Sequence, residues 1–298
     1  MDINLSKMTT ESRNPSSLNL DIMSPLEIVS IMNEEDRKVP LAIEPHLSQI
    51  AQVVSWCINS VESGGRIIYI GAGTSGRLGV VDASECPPTF GVPSSLVVGL
   101  IAGGEKAFVK AIEGAEDNPA LGEHDLQKIG LSDRDTVIGL AASGRTPYVV
   151  GGLEYANLIG CHTASISCNS DSDISHVAEL AIEIMVGPEV LTGSTRLKAG
   201  TAQKLVLNMI STATMVCTGK CYQNLMVDVV QSNEKLHVRA QNIVMEVTGV
   251  DRKTARNALD STGGSAKKAI VVILGNCSPE EAEKRLVKAK GHVRAAIQ

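Results

Sequence analysis

Aromatic residues are scarce in this chain of 298 residues, of which only 2% are Phe, Trp or Tyr. The core must therefore be built from aliphatic side chains, and there is no platform of rings on which nucleic-acid bases could stack. A surplus of basic residues is also lacking, because the formal net charge is −6. Together these two features argue against a nucleic-acid partner.

Long apolar segments are lacking as well. No uninterrupted run reaches the ~20 residues of a membrane-spanning helix. Met1-Asp-Ile-Asn-Leu5 does not have the basic start and apolar run of a signal peptide. We therefore expect a cytoplasmic protein without a membrane partner. Its length is sufficient for one major domain with a small appendage.

Cysteine pairs at metal-binding spacing are absent. The seven cysteines include no C-x-x-C pair and do not cluster with the six histidines, so we expect no zinc site and no other metal. Cys217 and Cys221 share a face of a predicted helix, which is typical of small buried residues. Cys86 could act as a nucleophile beside Glu85, but no histidine lies in that motif. A structural thiol is therefore favoured.

The most informative segment that is present runs from Arg66 to Arg77 and contains Gly71-Ala-Gly-Thr-Ser-Gly76. It predicts a buried strand, a turn rich in glycine and hydroxyl groups, and a helix. The glycines let backbone N–H groups crowd around one point, Thr74 and Ser75 add hydroxyl donors, and the helix presents the positive end of its dipole. These features together indicate a phosphate site.

The same turn matches the dinucleotide fingerprint G-x-G-x-x-G. A nicotinamide cofactor would also require an acidic residue about twenty positions further on. The next strand, Leu96–Ile101, instead ends in Ala102-Gly-Gly104. The Thr-Ser pair also suits a terminal phosphate better than a pyrophosphate, so we expect no cofactor.

Two further turns carry the same kinds of residue. The strand Thr136–Ala141 leads into Ser143-Gly-Arg-Thr146, before a helix that Pro147 opens, and Thr192–Lys198 precedes a long helix. Because open α/β sheets bind ligands at the carboxyl ends of their strands, the first two turns should share a site there. Glycine and serine also punctuate ordinary loops. Three turns rich in Ser, Thr and Arg nevertheless favour a binding site.

The first two turns resemble a sugar isomerase (SIS) domain, which binds phosphosugars. Four longer motifs are more specific: Gly71–Pro88, Glu113–Asp117, Leu225–Val230 and Asn233–Arg239. They resemble the N-acetylmuramic acid 6-phosphate etherase family, and the similarity runs from about Met8 to the C-terminus without a departure in the motifs. The resemblance implies a lyase that cleaves the D-lactyl ether of that sugar, giving N-acetylglucosamine 6-phosphate and D-lactate.

This reaction can proceed by elimination. In the open-chain sugar the C1 aldehyde acidifies the C2 proton, so lactate can leave from C3, and water can then add to the double bond. The route needs a base at C2 and an acid at the ether oxygen, and it needs no metal. The resemblance places the two catalytic glutamates at Glu85 and Glu116, and we assign Glu85 as the acid and Glu116 as the base, although the reverse assignment stays open. From the residues alone, each is one of several loop or helix-end carboxylates.

The residues of the three turns suggest which groups contact the substrate. They are Thr74, Ser75, Gly76, Arg77, Ser143, Gly144, Arg145, Thr146, Ser194 and Lys198. The hydroxyls of the first two turns are the expected phosphate ligands, and Ser194 and Lys198 could contact the sugar. The arginines could counter the phosphate or the lactyl carboxylate, or they could form outward salt bridges. His237 could assist ring opening, although a structural role is favoured.

Strands alternating with helices predict an α/β fold with a doubly wound, five-stranded parallel sheet. The predicted strands are near 66–70, 96–101, 136–141, 163–168 and 180–186. We expect a loosely held arm over residues 1–20, an SIS domain with N-terminal helices over 21–225, and a small helical domain over 226–298. Thr9–Arg13 in the arm could contact the ligand of a neighbouring subunit.

Helix signals flank the sheet. Ser24-Pro-Leu-Glu27 has the spacing of a capping box, a second helix is predicted from about Pro40 to Val61, and Arg196–Thr218 forms a long helix. Short helices are predicted over 234–247, 251–260, 264–274, 279–289 and 291–297. Ile270–Leu274 has strand propensity and is assigned to a helix from its flanks.

A homodimer is expected from the spacing of two site residues. Ser75 and Glu85 are ten residues apart, so a straight helix would separate them by ~15 Å, more than a hexose phosphate spans from its phosphate to C3. Either the helix bends or ends before Glu85, as Pro87-Pro88 would favour, or Glu85 serves the site of the neighbouring subunit. SIS domains commonly share sites between subunits, which favours the second alternative.

Two other functions are compatible with the same turns. One is a noncatalytic phosphosugar-binding regulatory protein, and the other is an aldose–ketose phosphosugar isomerase, which also begins by removing the C2 proton. The regulator would not require both Glu85 and Glu116, and the isomerase would not need a site for the lactyl carboxylate. The presence of both glutamates in their motifs favours the etherase.

Overall fold

A computed structural model describes residues 8–110, 112–230 and 234–298. The chain forms two compact units, and the second is assembled from two stretches of sequence. The first unit contains the residues up to Ser84 and Ser95–Ser211, and the second contains Glu85–Ser94 and Thr212–Gln298. Within the described part of the chain, no helix is both long enough and apolar enough to span a bilayer.

The first unit is built on a five-stranded parallel sheet with the strand order β2-β1-β3-β4-β5. Its strands are β1 (Ile67–Gly71), β2 (Val97–Ile101), β3 (Thr136–Leu140), β4 (His162–Ser167) and β5 (Leu180–Glu183). The strands β1 and β3 are buried along their whole length, as expected when helices cover both faces of a parallel sheet. The predicted fold class and its five strands are confirmed.

Nine α-helices begin in the described part of the first unit. They are α1 (Pro25–Asp36), α2 (Lys38–Ile43), α3 (Leu47–Glu62), α4 (Gly73–Phe90), α5 (Lys106–Val109), α6 (Pro119–Lys128), α7 (Pro147–Ile159), α8 (Asp173–Val177) and α9 (Lys198–Cys217) among the described residues. The capping box predicted at Ser24 and Glu27 is formed. The single helix predicted from Pro40 to Val61 is instead α2 and α3, joined by a 3-10 turn at Glu44–His46. Pro45 lies in this turn and has no N–H to continue an α-helical ladder.

The residues before α1 are anchored from residue 8 onward, so the expectation of a loosely held arm is wrong for this part. Asn14 Nδ2 donates to the carbonyl of Pro188 at 3.0 Å. Ser17 Oγ donates to the carbonyl of Val190 at 2.7 Å. These bonds tie the arm to the segment that precedes α9.

Helix α4 lies very close to the sheet. A Cβ added to Gly76 would stand 2.6 Å from the carbonyl oxygen of Gly71, and one added to Gly79 would stand 2.9 Å from Cβ of Tyr69. The N–H of Gly76 donates to the carbonyl of Ala72 at 3.1 Å. Gly76 therefore serves the packing of α4, and its N–H is already used within the helix.

Two buried polar pairs join α4 to α9. Ser75 Oγ donates to Gln203 Oε1 at 2.8 Å, and Ser211 Oγ donates to Asp82 Oδ1 at 3.1 Å. Tyr69 also donates to Asp82, at 3.0 Å, yet burial keeps the pKa of this carboxyl above its ordinary value. The earlier residue of α4 pairs with the earlier residue of α9, and the later with the later. The two helices therefore run parallel, and their N-termini lie at the same edge of the sheet.

The second unit is helical, as predicted. It contains the hairpin of β6 (Cys221–Tyr222) and β7 (Leu225–Met226), followed by α10 (Glu234–Thr248), α11 (Arg252–Ser261), α12 (Ala266–Leu274), α13 (Pro279–Lys288) and α14 (Val293–Ala296). Ile270–Leu274 is helical, and Val244, Leu259 and Ile270 lie in an aliphatic core. Asn233 of the fourth motif lies outside the described residues. The domain boundaries predicted after residues 20 and 225 stay predictions.

Candidate active site

A pocket of about 280 Å³ opens beyond the carboxyl end of β3. Its walls include the predicted site residues Glu116, Ser143, Arg145 and Thr146, together with Glu11 from the N-terminal arm. A larger cavity of about 910 Å³ lies beside the edge strand β2. Among the described residues that line the larger cavity, none belongs to the predicted site, so chemistry rather than size selects the smaller pocket.

The turn after β3 is fixed by glycine geometry. Gly144 has a φ of +75°, and a Cβ at this position would stand 2.2 Å from Cβ of Ser172, so no other residue fits without rearrangement. The N–H of Arg145 donates to Ser143 Oγ at 3.3 Å. The guanidinium of Arg145 lies 3.9 Å from Asp173 and is partly exposed, and a contact of this kind is weak. Arg145 can therefore turn towards an anion in the pocket.

A backbone hydrogen bond fixes the position of Glu116. Its carbonyl accepts the N–H of Tyr148 at 3.0 Å, which is one of the first N–H groups of α7 and has no partner within the helix. Pro147 occupies the first turn of α7, and Thr146 is the N-cap but does not use its hydroxyl as a cap. This bond holds Glu116 at the start of α7, and Glu116 and Thr146 line the same pocket.

The turn after β1 differs from the prediction in one respect. Ser75 is only 6% exposed, and its hydroxyl already donates to Gln203, so in this conformation the hydroxyl proton is not offered to a ligand. Thr74 is half-buried on the same turn. The first N–H groups of α4 have no partner within the helix, so they are the groups that this turn could present to an anion.

Arg77 is engaged away from the predicted phosphate position. Its Nε donates to the carbonyl of Phe108 and its Nη2 to the carbonyl of Ala107, both at 2.8 Å. These carbonyls belong to α5, so the guanidinium satisfies helix carbonyls. It forms neither of the contacts that the sequence suggested, an anion site or an outward salt bridge.

The third turn is already satisfied internally. Lys198 is 1% exposed and its Nζ donates to Glu35 at 2.6 Å, while the N–H groups of Lys198 and Ala199 donate to the Glu189 carboxylate at 3.0 Å. Burial raises the pKa of Glu35, but the hydrogen bonds from Lys198, Lys38 and Asn14 and the Lys198 charge together hold that pKa below its ordinary value. Lys198 is thus directed into the protein rather than into the pocket, and Ser194 is half-buried beside it.

Glu85 lies on α4 and is exposed. The helix continues through Pro87 and Pro88 to Phe90, so the suggestion that it ends before Glu85 is wrong. The neighbouring Cys86 is buried, as expected of a structural thiol. Glu85 belongs to the second compact unit and Glu116 to the first.

Three polar residues at or near the site carried little signal in the sequence. The sequence predicts Glu11 only as part of an arm that could contact the ligand of a neighbouring subunit. In the structure, Glu11 lines the pocket of its own chain. Asn169 and Gln203 are buried and bond to residues far along the chain. Glu11 and Asn169 stand among serine, threonine and charged residues, so no local pattern distinguishes them.

The strand order and the hydroxyl-bearing turn beyond β3 define a domain of the SIS type. The sequence model of the glucokinase regulatory protein N-terminal SIS domain matches residues 49–157. The fold is also similar to a phosphoheptose isomerase from Francisella tularensis, with a TM-score of 0.51 and 16% identity over 65% of this chain and 100% of that one.

Curated relatives define the family more narrowly. An N-acetylmuramic acid 6-phosphate etherase of Serratia proteamaculans is 59% identical over 99% of both chains. One from a Geobacillus species is 58% identical over 99% of this chain and 100% of the relative. The chain belongs to the N-acetylmuramic acid 6-phosphate etherase family.

Proposed function

We propose that the protein cleaves the D-lactyl ether of N-acetylmuramic acid 6-phosphate and releases D-lactate and N-acetylglucosamine 6-phosphate. The observation that carries the proposal is the 59% identity to a curated etherase over 99% of both chains. The pocket beyond β3 supports it, because a carboxylate and two hydroxyl-bearing residues, Glu116, Ser143 and Thr146, converge there.

The phosphate binds against the turn Ser143–Thr146, where Ser143 and Thr146 supply hydroxyl donors and Arg145 supplies a positive charge. Glu116 removes the C2 proton of the open-chain sugar, and the electron pair moves to form the C2=C3 double bond as the C3–O bond breaks. Glu85 gives its proton to the ether oxygen, so that lactate leaves with its own oxygen. Water then adds its hydroxyl to C3, and a proton returns to C2.

Reaction in water enriched in oxygen-18 tests this mechanism. Elimination followed by hydration should place the label on the C3 hydroxyl of N-acetylglucosamine 6-phosphate and leave lactate unlabelled. Label in lactate would instead show displacement at the lactyl carbon and would overturn the elimination route. Formation of a ketose phosphate without lactate would replace the etherase by an aldose–ketose isomerase.

We also propose that the enzyme is a cytoplasmic homodimer in which Glu85 serves the neighbouring subunit. None of the seven cysteines, all of which lie in the described part of the chain, forms a disulfide, which suits a reducing compartment. The helix α4 continues past Glu85, and ten residues of helix would separate it from Ser75 by ~15 Å if the helix does not bend. Cell fractionation and sedimentation equilibrium test the location and the dimer.

A further inference from the structure

The N-terminal arm contributes a carboxylate to the pocket. Glu11 ends the 3-10 turn Thr9–Glu11 and lines the pocket beside Glu116 and Ser143. A Cβ added to Gly193, in the third turn, would lie 3.5 Å from Glu11 Oε2. The carboxylate therefore lies between the phosphate turn after β3 and the turn that precedes α9.

A buried amide fastens this arm to the phosphate turn. The N–H of Thr10 donates to Asn169 Oδ1 at 3.3 Å, and Asn169 Nδ2 donates to Thr10 Oγ1 at 2.9 Å. The same Nδ2 approaches the carbonyls of Ala142 and Ser143 at 3.3 and 3.4 Å. Thr10 is fully buried and Asn169 is 4% exposed. Because one amide joins Thr10 to the chain around Ser143, Glu11 is held in register with the phosphate turn.

The charge of Glu11 indicates what it contacts. The substrate carries a phosphate and a carboxylate, and the pocket wall already contains Glu116 and Asp117 against one cation, Arg145. A third carboxylate would weaken the binding of an anion unless it faced hydrogen-bond donors of that ligand. The donors that an N-acetylated sugar phosphate offers are its hydroxyl groups and its amide N–H.

We propose that Glu11 is a substrate-contacting residue that accepts hydrogen bonds from the sugar part of the phosphosugar, through its hydroxyl or amide N–H groups. Thr10 and Asn169 are the positioning residues that hold it in place. The proposal rests on the proposed site around Ser143 and Glu116, and it adds a contact that discriminates a sugar phosphate from phosphate alone.

Binding of two ligands to the full-length protein tests this contact. The probes are N-acetylglucosamine 6-phosphate and inorganic phosphate, measured by calorimetry. Glu11→Ala should weaken the sugar phosphate about 10- to 100-fold, the range of a lost hydrogen bond to a charged group. Inorganic phosphate should bind as before or more tightly, because it has no sugar hydroxyl and one negative charge has left the pocket. Glu44→Gln, an exposed glutamate in another 3-10 turn, is the control and should change neither constant.

Unchanged binding of the sugar phosphate to Glu11→Ala would overturn the proposal. Equal weakening of both probes would also overturn it, because the arm would then only support the phosphate turn. Ser143→Ala tests the underlying site separately and should weaken both probes. If it weakens neither, the phosphate assignment fails, whatever the result for Glu11.

The role of Thr10 in positioning Glu11 can be tested by steady-state kinetics. Thr10→Val removes the hydroxyl that Asn169 bonds, and it should raise KM for the substrate while the KI of inorganic phosphate stays unchanged. Thr10→Ser keeps the hydroxyl and should restore KM. A Thr10→Ser variant as impaired as Thr10→Val would assign the loss to packing and overturn the positioning role.

Discussion

The backbone of Glu116 anchors the proposed base to α7, so a change confined to its side chain can be interpreted chemically. Glu116→Gln should abolish lactate release and also the exchange of the C2 proton with solvent, because both need the base. Glu85→Gln should abolish lactate release and retain exchange, because only the proton donor is lost. Proton NMR of the substrate in D₂O measures the exchange directly.

Glu113→Gln is the matched control, because this exposed glutamate lies in the same loop as Glu116. It should retain both lactate release and exchange. If Glu85→Gln loses exchange and Glu116→Gln retains it, the two roles are reversed while the pair remains catalytic. If both variants release lactate at the rate of the unmodified enzyme, neither glutamate is catalytic.

The buried carboxylate of Asp135 should make the free energy of unfolding depend on pH. It is 1% exposed and accepts the N–H of Arg66 at 2.8 Å, Arg66 Nη2 at 2.7 Å and the N–H of Ser132 at 2.9 Å. Burial raises the pKa of Asp135, but these hydrogen bonds and the Arg66 charge together hold it below its ordinary value. The carboxylate therefore stabilises the fold fully above the unfolded pKa, and this contribution is lost as the pH falls through the lower folded pKa.

Asp135→Asn should accordingly lower the free energy of unfolding by on the order of 3 kcal/mol near neutral pH, as expected when one partner of a buried pair is removed. The deficit should shrink below about pH 4, where the aspartate of the parent protein begins to be protonated. Urea unfolding at several pH values measures it. Asp133→Asn, in the exposed part of the same turn, should stay close to the parent, and a deficit in Asp135→Asn that is independent of pH would contradict the assignment.

At the scale of elements, local pattern was sufficient for most of the fold. Two strands inside the sheet, Ile67–Gly71 and Thr136–Leu140, were predictable because each is an apolar run followed by glycine and a helix signal. The prediction failed where a helix boundary did not follow from the prolines in a simple way, or where the strands were very short. Pro45 divided a predicted helix in two, and Pro87-Pro88 did not end α4. The hairpin β6–β7 has two residues per strand, too few for alternation to show.

The site was predictable only in part, for a related reason. A turn such as Ser143–Thr146 is encoded in adjacent residues, and it lines the pocket as expected. The orientation of Arg77 and Lys198 depends on partners far away in sequence, Phe108 and Glu35. No local pattern specifies such pairs, so residues of suitable type at the right turns were assigned to a ligand that their side chains do not face.

The close approach of α4 to β1 yields a prediction for Gly76. In an open helix, Gly→Ala stabilises by up to ~1 kcal/mol, but here the new Cβ would stand 2.6 Å from the carbonyl oxygen of Gly71. Gly76→Ala should therefore destabilise the protein by about 1–3 kcal/mol, as overpacking does. The midpoint of urea denaturation measures the change.

Gly73→Ala is the comparison for that substitution. Gly73 has a φ of +52°, and a Cβ there would meet nothing within 4 Å, so only the backbone strain of ~1–2 kcal/mol applies. Crystal structures of the two variants should show α4 displaced from β1 in Gly76→Ala alone. A Gly76→Ala protein more stable than its parent would contradict the packing argument.

For the whole molecule, the proposed sharing of sites can be tested by complementation. Glu85→Gln chains are mixed with Glu116→Gln chains, and mixed dimers are isolated. If Glu85 serves its neighbour, a mixed dimer contains up to one intact site and should recover up to half of the parental activity per dimer. If each site uses only its own chain, mixed dimers should stay inactive, and no recovery in verified mixed dimers would reject the sharing.

Because the second unit is discontinuous in sequence, its first segment is synthesised well before the rest of the unit. Glu85–Ser94 is synthesised about 120 residues before the rest of its unit begins at Thr212. At ~5–20 residues per second, this interval lasts on the order of ten seconds. During it, Cys86 and Phe90, which are buried in the finished protein, are present without the later part of their unit. A nascent chain stalled before Thr212 should therefore be captured by chaperones more readily than one released at full length.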